Sequence, residues 1–172
     1  PRPGGPDGGA IHACDPVPSA RSQPLGGNGV LFEPNRGQAN AAAAFIARGQ
    51  GYSIGLSAGQ VSLVLSGSAT QAGAAALVEL VGANLSPVGV ALDPQPGVSN
   101  YFVGQTAITG VPHFGRVRYS QVYAGIDIEY YGREGLLEYD WIVRPQADPS
   151  VIAVRFGGVD GMVLDGAGNL RL

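Results

Sequence analysis

Apolar and polar residues alternate in short runs along most of the chain, and the runs are separated by glycine, proline, asparagine or aspartate. Alternation with a period of two is typical of strands that bury one face, and the separating residues are typical of turns. No stretch keeps the period of about 3.6 residues that marks an amphipathic helix. The pattern predicts an all-β fold of about ten short strands, arranged as an antiparallel β-sandwich or an open barrel.

The clearest pair of runs predicts a hairpin with arms at 126–131 and 136–143, joined by a turn centred on Arg133 and Glu134. Glycines on both sides of these two residues suit a tight turn. One face of the hairpin is apolar and is predicted to face the core through Ile126, Ile128, Tyr130, Leu137, Tyr139 and Trp141. On the other face this register places opposite one another Tyr131 and Leu136, Glu129 and Glu138, and Asp127 and Asp140.

Four carboxylates therefore share the polar face of this hairpin, and like charges directly opposite one another destabilise a sheet. Arg116 and Arg118 alternate in the run just upstream, so they would neutralise two of the acids if that strand lies beside the hairpin. A bound Ca²⁺ is the alternative, because this ion takes carboxylate oxygens as ligands. The pattern favours a solvated or arginine-paired face, and the Ca²⁺ hypothesis has these candidate ligands: Asp127, Glu129, Glu138 and Asp140.

The same surface offers a second chemistry, because paired carboxylates about 5–5.5 Å apart hydrolyse glycosides and tyrosines stack on sugars. Candidate binding residues for a glycan are Arg116, Arg118, Tyr119, Tyr123 and Tyr131. A glycosidase needs a cleft and one desolvated carboxyl group of raised pKa. Four acids on one strand face are more typical of a charge cluster, and tyrosines in strands are more often packed than exposed.

The composition fits one β-rich domain at 28–172 behind a Pro- and Gly-rich lead-in at 1–27, which we expect to be extended or flexible. The 28 glycines and 13 prolines among 172 residues favour turns over long helices. A net charge of −3 gives no basis for binding nucleic acid or an anionic membrane surface, and no apolar stretch predicts membrane insertion. All ten basic residues are arginine, so chemistry that needs a lysine side chain is excluded within this chain.

Catalytic motifs are missing, since the chain has neither G-x-S-x-G nor H-E-x-x-H. Neither histidine has a nearby partner of the right type, so His113 is predicted to be structural. Cys14 is the single cysteine, which excludes an intrachain disulfide. We therefore expect no enzyme activity. Strand-like sequence continues to Leu172, and we expect the edge there to be completed by a further strand or by another chain.

Short stretches in order along the chain resemble the N-terminal domain of bacterial SBBP (β-propeller) repeat proteins over roughly residues 30–172. They are FEPNRGQ at 32–38, ARGQGY at 47–52, LVGAN at 80–84, GVSNYFVG at 97–104, RVRY at 116–119, VYAGID at 122–127, YYG at 130–132, LEYD at 137–140 and ADP at 147–149. The resemblance implies a secreted or surface-attached bacterial protein with large β-rich extensions. It implies no catalytic residues, because the activity of that domain is uncharacterised.

These observations together predict an extracellular or cell-surface β module that is not an enzyme. Its expected role is structural assembly or adhesion, through pairing of an open strand edge with another protein chain or with itself. The alternatives are a glycan-binding or glycan-hydrolysing domain that uses the acidic hairpin face, and a Ca²⁺-stabilised structural module.

Overall fold

The computed structural model describes residues 29–67 and 72–171, so the predicted lead-in and Cys14 lie outside the described residues. The described part of the chain is built from strands and turns, with one 3-10 turn at Pro149–Val151, and the prediction of an all-β fold is confirmed. None of its residues forms a helix long and apolar enough to span a bilayer. The strands are β1 (Phe32–Pro34), β2 (Phe45–Gly49), β3 (Tyr52–Ser57), β4 (Gln60–Leu65), β5 (Ala74–Leu80), β6 (Val90–Val103), β7 (Thr106–Tyr123), β8 (Ile126–Arg133), β9 (Leu136–Val143), β10 (Val154–Gly157), β11 (Val163–Leu164) and β12 (Leu170–Arg171).

Ten of these strands form one antiparallel sheet that curls into a half-barrel, which matches the open barrel of the two predicted architectures. Strand β7 joins the parts of this sheet. Along one edge β7 pairs with β6, and along the other it pairs with β1 at Phe114 and with β8 from Arg116 onward. Strand β1 begins a branch in the order β1-β2-β3-β4-β5-β10, and β8 leads to β9. Strands β11 and β12 form a separate hairpin.

The core is built by both branches of the sheet, with fully buried side chains such as Phe32 and Leu56 on one and Ile126 and Ile128 on the other. The branches also meet at the end of β7. There the Tyr123 hydroxyl lies 3.0 Å from the carbonyl oxygen of Val81 and 3.2 Å from that of Ala153, and can donate its hydrogen to either. Burial of this apolar set is the main stabilising term, at about 25 cal/mol per Å² of apolar surface removed from water.

The first part of β6, residues 90–97, contains prolines and on sequence alone would indicate an irregular connection, whereas the strand begins at Val90. Proline has no amide hydrogen and is tolerated only where no ladder bond is needed, as on an edge strand or at a bulge. Strand β6 meets both conditions. It pairs only with β7 among the described residues, and its register shifts between Gln95 and Val98 and again between Ser99 and Tyr101.

The β8–β9 hairpin forms with the predicted division of faces but not with the predicted register, and Tyr139, which was predicted to face the core, is 49% exposed because β9 is an edge strand. Its turn is Glu134-Gly135, with φ angles of 52° and 80°, and not Arg133-Glu134. Positive φ at both central residues defines the tight turn that matches strand twist, and the glycine at the second position favours it. Each residue of β8 pairs with a β9 residue two positions further along the chain than predicted. Glu129 therefore lies opposite Asp140, Tyr131 opposite Glu138, and Asp127 opposite Ile142.

Candidate functional site

Glu129 is the centre of the predicted polar face and is bound by two arginines. The guanidinium of Arg116 donates to Oε1 of Glu129 at 2.7 Å. The guanidinium of Arg118 donates to Oε2 through Nε at 2.7 Å and through Nη2 at 2.5 Å. Strand pairing brings them together, because Arg118 lies directly opposite Glu129 in the β7–β8 ladder. The Glu129 side chain is only 6% exposed, whereas the arginines reach solvent. The predicted arginine pairing is thus present, although both arginines bind the same acid.

The environment of Glu129 determines what this carboxylate can do. Burial by itself would raise the pKa of Glu129, but the hydrogen bonds and charges of Arg116 and Arg118 outweigh it, so the pKa lies below its usual value. A general acid needs the opposite shift. Both oxygens of Glu129 also accept hydrogen bonds from arginine, and neither is free to attack a sugar. This geometry is that of an ion pair and not of a glycosidase site.

Asp127, the second acid on β8, is also buried. Its Oδ1 accepts a hydrogen bond from the backbone N–H of Gln121 at 2.7 Å and lies 3.6 Å from the guanidinium of Arg144. Gln121 has a φ of 54°, in the left-handed region, where the β7–β8 register shifts between Tyr119 and Tyr123. Asp127 therefore stabilises the backbone at this irregular end of β7, since a buried amide without an acceptor is costly.

The two acids on β9 face outward. Asp140 is exposed and accepts a hydrogen bond from the Tyr131 hydroxyl at 3.2 Å, while the Arg116 guanidinium lies 5.2 Å from the centre of the Tyr131 ring. Glu138 is partly exposed. In the part of the chain that the structure describes, no three His, Cys, Asp or Glu side chains are grouped so that they could hold a metal ion. The four predicted Ca²⁺ ligands are thus not brought together, because the two on β8 are turned to separate partners.

Tyr119 and Tyr123 do not join this polar face, contrary to the prediction. Both are buried among the core residues. Residues from Arg116 to Tyr119 alternate across the sheet, so Tyr119 lies on the face opposite Arg116 and Arg118. Of the five predicted binding residues, the structure brings together three, which are Arg116, Arg118 and Tyr131. Without the two core tyrosines this surface has no row of aromatic rings on which a sugar could stack.

A second polar cluster, which the sequence pattern did not reveal, lies where β1, β6 and β7 meet. The Ser99 hydroxyl donates to Oε1 of Glu33 at 2.8 Å, and the Tyr101 hydroxyl donates to Oε2 of Glu33 at 2.5 Å. Nε2 of His113 lies 2.8 Å from the Ser99 oxygen and 3.4 Å from Glu33. The prediction that His113 has no nearby partner is wrong. Burial, followed by the hydrogen bond and charge of Glu33, raises the pKa of Tyr101.

Serine, histidine and glutamate within hydrogen-bond distance resemble a nucleophile with its base, but their arrangement opposes that role. The Ser99 hydrogen is donated to Glu33, so the Ser99 oxygen must accept the hydrogen of His113 Nε2. A histidine protonated at that atom cannot take a proton from Ser99. In catalytic triads the acid holds the other ring nitrogen, whereas His113 Nδ1 is buried without a partner among the described residues. This cluster is a hydrogen-bond network that fastens the β6–β7 hairpin to β1.

Sequence reasoning missed the Glu33 cluster because its members are far apart in the chain. Glu33 is separated from Ser99 by 66 residues and from Tyr101 by 68. No local spacing can signal such a cluster. The available signal was indirect: Glu33 lies in a strand between Phe32 and Pro34, and a carboxylate that is largely removed from water requires a partner.

An open cleft of about 450 Å³ lies beside the end of β7, next to Tyr123 and Asp148. Two of the polar side chains that line it, Asn84 and Asp148, already accept hydrogen bonds from the chain itself. Oδ1 of Asp148 accepts from the Ser150 amide at 2.9 Å, and Oδ1 of Asn84 accepts from the Ser86 amide at 3.1 Å. A ligand site needs several convergent polar groups that are free to bind, and these two side chains are directed to backbone amides of the chain instead.

Strand β9 forms a free edge of the sheet. It pairs with β8 on one side and with no other strand among the described residues. Several apolar side chains on it face solvent, with exposed fractions of 66% for Leu136, 49% for Tyr139 and 41% for Val143. An edge strand with exposed apolar residues and no proline or lysine is a template on which another strand can pair.

Comparison with curated proteins finds no match, and neither does comparison with solved structures. One protein family matches the chain over residues 32–172, from β1 through the β11–β12 hairpin, and it is described as a domain of unknown function. The match takes in every strand of the half-barrel and both polar clusters. The chain therefore belongs to the DUF7948 family of domains of unknown function.

Proposed function

We propose that this domain is a non-catalytic β module that assembles with other polypeptide chains by adding a strand at the outer edge of β9. Residues 136–143 of this edge offer unpaired backbone groups and exposed apolar side chains to a second chain. The free β9 edge is the observation that carries the proposal. Main-chain hydrogen bonds would supply affinity, and the alternating side chains would supply specificity.

The chemistry of both polar clusters supports a role without catalysis. Glu129 is held ionised between Arg116 and Arg118, and the Ser99 hydrogen is directed to Glu33 and not to His113. Each cluster joins strands and leaves no proton-transfer group facing an open cleft. The resemblance to the N-terminal domain of SBBP repeat proteins supports a location at the bacterial surface, where such a module would serve assembly or adhesion. Labelling of intact cells with an antibody against the domain tests the location.

The backbone direction of β9 provides the test of edge pairing. The Arg144 amide donates to the Gly125 carbonyl at 3.0 Å, one step beyond the end of the β8–β9 ladder. In an antiparallel pair, successive residues of a strand direct their backbone groups alternately toward the paired strand and away from it. Because the Arg144 amide points toward β8, the amides of Tyr139, Trp141 and Val143 point outward, away from β8. Proline at 143 would remove an outward donor without removing a bond to β8.

We expect a synthetic eight-residue strand peptide, with apolar residues on one face and arginines on the other, to bind the domain. Trp141, the single tryptophan, lies on β9 and reports binding by its fluorescence. Val143→Pro should weaken binding by roughly tenfold, because a main-chain bond is lost and the ring obstructs the partner. Val154→Pro makes the matched change on the edge strand β10 and should bind normally. Equal binding by Val143→Pro and the unchanged domain would exclude β9 as the pairing edge.

A further inference from the structure

We infer that the strand added to β9 is β9 of a second copy of this chain, in an antiparallel two-fold register centred on Trp141. This inference rests on the edge-pairing function proposed above and specifies its partner. It follows from the order of acidic, basic and apolar residues along β9 and from the direction of its backbone groups.

A two-fold axis normal to the sheet pairs each residue of one β9 with a residue on the same face of the other. Registers centred on Glu138, Tyr139 or Asp140 would each place acidic residues opposite acidic residues across the new ladder. Such pairs are destabilising. Centres nearer to either end of β9 pair fewer residues; with Arg144 included, a centre at Ile142 pairs residues 140–144, whereas a centre at Trp141 pairs residues 138–144. The choice of register is therefore restricted by charge and by length to the one centred on Trp141.

The Trp141-centred register places no acidic residue opposite another acidic residue, and it brings glutamate opposite arginine. It pairs residues 139–143 of one copy with 143–139 of the other, and it places Glu138 opposite Arg144 of the second copy, twice by symmetry. Asp140 then lies opposite Ile142. Arg144 continues the strand, because its amide extends the β8–β9 ladder to Gly125, and its side chain is 51% exposed. Each copy thus supplies both members of a complementary pair.

The backbone and the apolar face agree with this register. The outward-pointing groups of β9 belong to Tyr139, Trp141 and Val143, and in this register these are the residues that exchange main-chain hydrogen bonds. Trp141 would pair with Trp141 of the second copy, and Tyr139 with Val143. Tyr139 and Val143 are 49% and 41% exposed in the single chain, and the half-buried Trp141 ring lies 6.1 Å from that of Tyr139. Pairing would continue the aromatic face of one half-barrel into the next.

Charge-swap variants test the register directly. Glu138→Arg places arginine opposite Arg144, and Arg144→Glu places glutamate opposite Glu138, so each variant alone should self-associate about tenfold more weakly than the unchanged chain. An equimolar mixture should recover dimers, because every pair in the mixed dimer is complementary. Glu134→Arg makes the same charge change in the hairpin turn, outside the paired residues, and should dimerise normally. Sedimentation equilibrium at low ionic strength, where charge effects are least screened, measures each mass.

The outcomes separate the two proposals. A chain that stays monomeric up to about 100 µM overturns self-pairing, while binding of the strand peptide would still support edge pairing. Dimers that are lost in Val143→Pro but unaffected by the charge swaps overturn the Trp141-centred register and leave β9 as the edge. Dimers that persist both in Val143→Pro and in the charge-swap variants overturn self-pairing through β9. If Val143→Pro also binds the strand peptide as tightly as the unchanged chain does, the proposed function itself is overturned.

Discussion

Two carboxylates flank β7 on the same edge, the buried Glu129 on β8 and the partly buried Glu33 on β1, and they are stabilised in different ways. Glu129 is bound by two arginines whose side chains are 48% and 40% exposed. Glu33 is bound by the hydroxyls of Ser99 and Tyr101, with the His113 ring nearby. The first carboxylate is stabilised mainly by charge, from partners that remain in contact with water. The second is stabilised mainly by hydrogen bonds from neutral groups.

The difference shows how position in a sheet selects the partner of a buried acid. The partners of Glu129 are close to it in sequence and reach it from the neighbouring strand, with their long side chains extending along the polar face. Glu33 lies on β1, where the hydroxyl groups of Ser99 and Tyr101 reach it from β6. A carboxylate that depends on charge should respond strongly to loss of that charge, and one that depends on hydrogen bonds should tolerate a neutral replacement.

The largest expected effect is on the charge-stabilised acid. Arg116→Met with Arg118→Met should lower the free energy of unfolding by roughly 4 kcal/mol, because a buried carboxylate is left without its cations. Urea denaturation measures the change. Arg155→Met is the control, since Arg155 pairs with Glu79 at an exposed site and such pairs contribute about 0–1 kcal/mol. A double variant as stable as this control would mean that charge does not stabilise Glu129.

A smaller effect is expected at the hydrogen-bonded acid. Glu33→Leu should cost about 2 kcal/mol, because the Ser99 and Tyr101 hydroxyls lose their acceptor in a partly buried place. Glu33→Gln should cost about half as much, since its amide oxygen still accepts one of the hydroxyls. Thermal unfolding of both variants gives the ratio. If the two substitutions are equally damaging, the charge of Glu33 is essential and the contrast with Glu129 does not hold.

The smallest expected effect is on the pH dependence of stability and has a defined sign. Because the pKa of Glu129 is lower in the folded chain, its stabilisation is complete above the unfolded pKa of about 4.3 and is lost as pH falls through the folded value. Without Arg116 and Arg118, burial would raise the pKa instead, and acid would favour the folded variant. The stability difference between the unchanged chain and the double variant should therefore shrink as pH falls, starting above about pH 4.3, where Glu129 of the variant takes up a proton, and continuing below it, where the unchanged chain loses its stabilisation. A constant difference from pH 7 to pH 3 would contradict this linkage.

The sequence pattern predicted the faces of the β8–β9 hairpin correctly because alternation is a local property. Ile126, Ile128 and Tyr130 are buried as expected, and Arg118 meets Glu129. The register was wrong by two residues because glycines stand at both 132 and 135, so the sequence allows more than one tight turn. The backbone resolves this with positive φ at Glu134 and Gly135.

The proline-containing first part of β6 and the Glu33 cluster could not be predicted, for two physical reasons. Proline reads as a strand breaker in sequence, but whether Pro94 is tolerated depends on which edge of β6 is paired, and that is a property of the whole sheet. The cluster joins β1 to the β6–β7 hairpin across a long stretch of chain. Its location depends on topology, which the alternation of residues does not specify. The Ca²⁺ hypothesis has a related weakness, because shared charge on one face does not fix where each side chain turns.

The position of β7 also bears on the order in which the domain folds. Strand β1 pairs with β7 at Phe32 and Phe114, so this contact closes a loop of about 80 residues, while β8 and β9 are joined by a two-residue turn. Distant pairings are slow because the chain must lose the entropy of the loop before the contact forms. During synthesis β1 to β5 leave the ribosome before β7 does. Their apolar faces remain uncovered for that interval, which makes the first half of this chain the part most exposed to aggregation and to chaperone binding.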